Sequence, residues 1–408
     1  MKVLVISATF PPMRSGGSDF AFRLCRQLAE AGAEIRVLTS RIENVVTDPK
    51  IRVYPLMSDW SWVELPRLLW LARRFRPDVV DLHFNGQIYN DQPMVTFVPT
   101  FIKRLLPSVR VVMHVEYPSG VRPQLLARST RAVRKVIARW AGKQNADYGY
   151  GTLLRDCDRI ILLSDIHRLL LLDHFAGVNE KSVLIPPPPI LPMCTEANGA
   201  ARRRGRKMLG VSSDEFLIAY FGYIYPEKGI ETLLQAFHLV LRHNDKVRLV
   251  IVGGSNEISL KGTNRPNYFE ELRDLSKRLE VADKVIWTGY YPTDSDYASL
   301  CLRGADVCVL PFDRGVYLNN SSFAAAAAHG LPIITTKGGT IEFPLTDQRN
   351  VLLCPPKEPR ALAQAIECLA SRPELRQRLG EGALDLARQW FSWDKALERT
   401  IETFKVDT

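Results

Sequence analysis

No apolar run in this 408-residue chain approaches the roughly 18 residues a membrane-spanning helix needs. The start, from Met1 to the prolines Pro11-Pro12, holds too short an apolar core for a secretory signal and reads as a first strand. No C-x-x-C pair occurs. The seven cysteines are odd in number and scattered, and Cys308 and Cys354 sit inside apolar runs, a pattern of buried thiols in a reducing cytosol rather than of disulfides or a metal knot. The dinucleotide fingerprint G-x-G-x-x-G is also missing. Aromatic residues do not cluster with basic ones, and no nucleic-acid-binding motif is present. Nucleic acid is therefore not the expected partner, despite a net charge of +10.

What is present is length, ordinary composition and a repeated strand–helix alternation. A chain of this size holds two or three domains. Its charge is uneven: residues 1–190 carry 26 Lys and Arg against 17 Asp and Glu, so most of the surplus lies there. Arg128, Arg131, Arg134, Lys135, Arg139 and Lys143 follow one another with no acid between, while Val133, Val136, Ile137 and Trp140 recur at helical spacing. This predicts an amphipathic helix with a basic face, either a solvated surface or a docking face for an anionic membrane.

In the first half, strands are expected at Lys2–Ser7, Glu34–Thr39, Ile51–Tyr54, Val79–Leu82, Val109–Met113, Arg159–Leu163 and Ser182–Ile185. Gly16-Gly17 opens the first helix, where backbone amides can approach a ligand. His83 and His114 are placed just past the carboxyl ends of two strands, the edge where open parallel sheets bind ligands. The prolines Pro186 to Pro189 form a stiff linker, followed by a polar loop and a short helix. The second half restarts with strands at Phe216–Phe221, Val247–Val252, Lys284–Thr288, Val307–Leu310, Pro332–Thr335 and Val351–Cys354. The stretch Ala305–Thr336 is central. A strand leads through Pro311 and Gly315 to Asn319-Asn320-Ser321-Ser322, then to an alanine-rich helix closed by His329-Gly330. Asn320, Ser321 and Ser322 are helix-capping types, and the amides behind them could bind an anion. The fold class is thus α/β, with two doubly wound parallel-sheet domains facing across a cleft.

Several segments together resemble the retaining glycosyltransferases of family 4, of GT-B fold. They are Tyr220-Phe221-Gly222-Tyr223-Ile224-Tyr225-Pro226-Glu227-Lys228-Gly229, Leu249 to Gly254, Thr288-Gly289-Tyr290-Tyr291-Pro292, Ala305 to Pro311, Ala328-His329-Gly330-Leu331-Pro332 and Gly338-Gly339-Thr340-Ile341-Glu342. In the first half, Phe10-Pro11-Pro12, Gly16-Gly17 and His114 match as well. The resemblance implies an acceptor domain over about 1–190 and a donor domain over 191–390, with a last helix, about 391–408, packing back on the first. It implies transfer from a UDP- or GDP-sugar to a lipid-linked or glycan acceptor, with retention, with no cofactor and no metal, in the cytoplasm or at the inner membrane face. Lys228 is matched to the phosphate lysine and His114 to the histidine near the reacting sugar. Gly16, Gly17, Gly222, Tyr223, Tyr290, Asn319, Asn320, Ser321 and Ser322 complete the expected donor site.

Two departures stand out. The arginine usual after the loop glycine is Tyr223 here, and the usual glutamate pair is replaced by Tyr317 and Ala325. A divergent subgroup, or a catalytically inactive protein binding a nucleotide-sugar or a partner glycosyltransferase, would share this pattern.

Overall fold

The computed structural model describes residues 1–46, 48–121, 136, 139, 147, 149–256, 260, 264–292 and 294–405. Apart from Val136 and Arg139, the predicted basic helix over 128–143 lies outside the described residues. The chain divides into two compact units, Met1–Pro186 with the segment from Asp394, and Pro187–Trp393. The division falls inside the proline run, where consecutive fixed φ angles stiffen the chain.

The first unit is a seven-stranded parallel sheet in the order β3-β2-β1-β4-β5-β6-β7. Its strands are β1 (Lys2–Ile6), β2 (Glu34–Ser40), β3 (Ile51–Met57), β4 (Val79–Phe84), β5 (Arg110–Val115), β6 (Arg159–Leu162) and β7 (Ser182–Leu184). Leu4, Ile6, Val80, Leu82, Val111 and Met113 are fully buried in its core. Such strands read as near-continuous apolar runs because helices cover both faces of the sheet. Helix α1 (Gly16–Glu30) follows β1, capped by the Ser15 hydroxyl, which accepts the Ser18 N–H at 3.1 Å. The last helix of the chain returns its Thr403 carbonyl to the Arg110 guanidinium at 3.0 Å.

The second unit is a six-stranded parallel sheet in the order β10-β9-β8-β11-β12-β13. Its strands are β8 (Phe216–Phe221), β9 (Val247–Val252), β10 (Val285–Gly289), β11 (Val307–Leu310), β12 (Ile333–Thr336) and β13 (Leu352–Cys354). The polar stretch after the linker forms a 12-residue helix, Asn198–Leu209, longer than expected. Gly205 brings it so close to helix Tyr297–Gly304 that a Cβ there would lie 2.1 Å from the Leu300 carbonyl oxygen.

Strand order reverses between β1 and β4 in one sheet and between β8 and β11 in the other. In open α/β sheets the crevice at the carboxyl ends beside such a reversal is the place for a ligand. All seven cysteines are free, and all but Cys368 are buried. No helix among the described residues is long and apolar enough to cross a membrane.

Candidate functional site

In the second unit the reversal point is built from three loops. After β8 the chain turns at Gly222, whose φ of 135° excludes most side chains. A Cβ there would lie 2.5 Å from the Ser322 hydroxyl oxygen, and one at Gly253 would lie 2.2 Å from the Gly222 carbonyl oxygen. Glycine therefore lets the ends of β8 and β9 and the helix after β11 touch. The Tyr220 hydroxyl donates to the Tyr223 carbonyl at 3.1 Å and pins the loop from below.

Lys228 closes this loop. Its ammonium stands 4.9 Å from the Tyr225 ring centre and 4.7 Å from that of Phe312, and no carboxylate lies within ion-pair range among the described residues. The nearby acids are engaged elsewhere, Glu227 with Arg314 at 2.7 Å and Asp313 with Lys357 at 3.7 Å. A half-buried cation resting on π-faces without an acid partner is poised for an external anion.

The helix Ser321–Ala328 supplies the opposite wall. Its first amides lack intrahelical partners, and its dipole favours negative charge. Ser322 is 8 % exposed, and its hydroxyl makes no hydrogen bond among the described residues. Asn320 differs: its side-chain amide donates to the Tyr317 carbonyl at 3.0 Å and approaches Asn319 Oδ1 at 3.5 Å, so it shapes the loop itself. Glu342 braces the same loop, accepting the Leu318 N–H at 2.7 Å. Tyr290 covers Gly254, where a Cβ would lie 2.6 Å from the ring, and donates its hydroxyl to the Ser255 carbonyl.

Tyr317 and Ala325 stand at the positions where the resemblance leads to an expectation of glutamates. Tyr317 lays its hydroxyl against Gly338, 3.1 Å from where a Cβ would stand. Ala325 is fully buried, and its carbonyl accepts from His329 Nδ1 at 2.7 Å. Burial holds the His329 imidazole down at about 4, so this ring is a neutral structural brace. A cavity of ≈ 630 Å³ lies elsewhere in the unit, before β11 and β12, lined by Arg202, Arg303, His329 and Arg376 among others. It contains none of the predicted site residues.

In the first unit, His83 and His114 lie within β4 and β5 rather than past their ends, directly opposite one another in register. Alternation along a strand places Asp81 with His83, and His114 with Glu116, on one sheet face. Asp81 is completely buried. Its Oδ1 stands 2.7 Å from His114 Nδ1, and its Oδ2 3.4 Å from His83 Nε2. His83 Nδ1 faces Glu116 Oε1 at 3.5 Å. The two imidazoles stack, 4.7 Å apart at 25°, beneath Phe20 of α1. Burial alone would raise the Asp81 carboxyl, but the two histidines outweigh it and hold it well below the usual carboxylate range. Burial likewise opposes charge on His83, and Asp81 and Glu116 overcome it, pushing the imidazole up to about 9. Glu116 also lies against Gly17, where a Cβ would be 2.4 Å from Oε2, whereas Gly16 has nothing within 4 Å.

Asp81, His83 and His114 are also of ligand type and close enough to hold a metal ion. In this structure His114 Nδ1 is turned to Asp81 Oδ1 at 2.7 Å, so that nitrogen and the carboxylate are engaged with each other.

The structure thus assembles Gly222, Tyr223, Lys228 and Asn319–Ser322 within the second unit, with Tyr290 on the adjoining loop, and Gly17 and His114 within the first. Sequence reading missed Asp81. The signal available was a D-x-H step in an otherwise apolar run, facing H-x-E on the next strand.

These paired Rossmann-like sheets define the class. The chain shares the GT-B architecture of glycosyltransferase structures, with a TM-score of 0.70 to sucrose-phosphate synthase from Thermosynechococcus elongatus at 19% identity, covering 99% of this chain and 98% of that one. The Anabaena protein Alr3699/HepE, solved in complex with UDP and glucose, gives 0.70 at 16% identity, covering 99% of each chain. At these identities the likeness is one of fold. More specifically, residues 201–385, which lie in the second unit, match the family described as Glycosyl transferases group 1. Among curated proteins, D-inositol 3-phosphate glycosyltransferases are similar. That of Segniliparus rotundus is 26% identical over 262 residues, 63% of this chain and 54% of that protein. That of Streptomyces bingchenggensis is 29% identical over 255 residues, 60% and 52% respectively. The chain spans about half the length of these curated relatives.

Proposed function

We propose that this protein is a retaining, metal-independent glycosyltransferase of family 4, in a subgroup without the glutamate pair, which moves a sugar from a UDP- or GDP-sugar to a lipid-linked or glycan acceptor. The observation that carries the reading is the Lys228 ammonium, without an acid partner among the described residues, on the loop that brings Gly222 against the open Ser322 hydroxyl. Charge building on a departing diphosphate would meet a full positive charge on one side and helix amides on the other. His114 and Gly17 would serve the reacting sugar and the acceptor from the first unit. The acids beside the phosphate loop are taken up by Arg314 and Lys357, which favours a mechanism without a divalent ion.

A thermal-shift screen against UDP, GDP and their common sugars tests donor binding. A ligand at a hundred times its dissociation constant stabilises by about 2.7 kcal/mol. Transfer should survive EDTA. Activity lost to EDTA and restored by magnesium or manganese would overturn the metal-free mechanism. Absence of any donor binding at millimolar concentration would sink the transferase reading.

A second reading is favoured by Tyr317 and Ala325. A protein lacking both carboxylates could bind the nucleotide-sugar, or a partner glycosyltransferase, without turning it over. Donor binding with neither transfer nor hydrolysis would select it. The basic stretch 128–143 supports an acceptor handled at an anionic membrane, which salt-sensitive flotation with acidic vesicles would test.

A further inference from the structure

We propose that Asp81 is the positioning residue for His114. One buried carboxylate fixes His114 as its Nδ1–H form and presents Nε2 as a hydrogen-bond acceptor for a sugar hydroxyl, while His83, clamped between Asp81 and Glu116, keeps that carboxylate ionised. The inference rests on the transferase reading for the identity of the hydroxyl. It stands on the geometry of the first unit alone for the rest.

A carboxylate can only accept hydrogen bonds, so the 2.7 Å contact between Asp81 Oδ1 and His114 Nδ1 requires the proton to sit on that nitrogen. In neutral His114 the other nitrogen then carries the lone pair, and it has no hydrogen-bond partner among the described residues. The partner on one ring nitrogen decides what the other can do.

Asp81 is 0 % exposed, and a lone buried carboxylate would take up a proton rather than stay charged. Were it protonated, its hydrogen could donate to His114 Nδ1 and reverse the tautomer. His83 prevents this. Both its nitrogens are buried, make no hydrogen bond and face carboxylate oxygens at 3.4 and 3.5 Å, the surroundings of an imidazolium. Among the described residues, Cys25 of α1 and Tyr89 in the turn after β4 also face the four, and burial keeps the proton on both. Four ionisable groups from β4, β5 and the residue after β5 thus form one chain, Glu116 to His83 to Asp81 to His114.

The test uses the full-length protein with ¹⁵N-labelled histidine. At pH 7.5 the imidazole nitrogens of His114 should show the Nδ1–H tautomer, and those of His83 double protonation. Asp81→Asn should shift His114 toward the Nε2–H form and remove the second proton from His83. In transfer assays the same variant should lower kcat at least about tenfold, the range of a lost acid–base or orienting contact, with the donor KM changed far less. His83→Asn should lower kcat more mildly. Neutral His83, or the Nε2–H form of His114 in the wild type, would overturn the proposal. So would Asp81→Asn turning over at the wild-type kcat. If the wild type binds no UDP- or GDP-sugar, the transferase reading fails, and the resonances alone decide whether Asp81 holds His114.

Discussion

Deprotonating His83 should cost the first unit a measurable part of its stability, in a defined pH window. Folding moves this imidazole from an ordinary 6.5 to about 9, because Asp81 and Glu116 outweigh the burial that opposes its charge. Below pH 6.5 both folded and unfolded chains carry the proton, so the contribution is fully present and has no slope. Between 6.5 and 9 the folded chain binds one proton more than the unfolded chain, and stability falls with rising pH. At 1.36 kcal/mol for each factor of ten the loss comes to roughly 3 kcal/mol. The side chain is 0 % exposed, so solvent screening does not reduce the figure greatly. The measurement is urea unfolding at a series of pH values from 6 to 10, with hydrogen exchange of Val79–Phe84 and Arg110–Val115 to assign the transition to the first unit. Cys25, its thiol held protonated by burial, adds its own loss near and above the ordinary thiol range. The decisive quantity is therefore the difference between wild type and His83→Asn, which should fall across this window while the variant keeps only the Cys25 loss. Parallel curves for the two proteins would refute a charged His83.

Lys228→Met should weaken UDP or GDP binding at least about tenfold, or 1.4 kcal/mol; unchanged affinity by calorimetry would remove the phosphate role. Ser322→Ala should cost roughly 1–3 kcal/mol of donor binding with little change in melting temperature, whereas Asn320→Ala, which removes the side-chain donor to the Tyr317 carbonyl, should lower both. Equal behaviour of the two would contradict the different duties assigned to them. Gly253→Ala should destabilise strongly, since its Cβ meets the Gly222 carbonyl at 2.2 Å, while Gly16→Ala meets nothing within 4 Å and should be nearly neutral by thermal melt. Ala325→Glu should not improve transfer and should cost several kcal/mol of stability, because the carboxylate would enter a fully buried site; a gain in activity would show that the helix can turn this position toward the donor.

Much of the architecture was legible in the residues because it depends on local pattern. Strands β8, β9 and β11 fall where their apolar runs predict, since a strand buried on both faces must be apolar throughout. The loop glycines, the capping residues before the alanine helix and the proline linker were equally visible. Strands β4 and β5 extend further than expected, through His83 and His114. A polar side chain on a buried face looks like a strand end until the facing strand supplies its partner. The helix Asn198–Leu209 was underestimated for a similar reason. Its arginines looked like a solvated loop, yet Arg202 and Arg206 reach Asp306, about a hundred residues away, at 2.6 and 3.2 Å.

The amino acids by themselves therefore determined the alternation of strand and helix and the chemistry offered at each loop. Tertiary structure decided which of those groups meet. The D-x-H step at Asp81 gives only a weak local sign, because its role depends on the β4–β5 register that sets His83 opposite His114. Gly222 touches Ser322 only because β8 and β11 become neighbours where the strand order reverses. Periodicity along a chain reports which face is buried. It is silent on which strand lies alongside, and a buried charge can be kept only by what lies alongside.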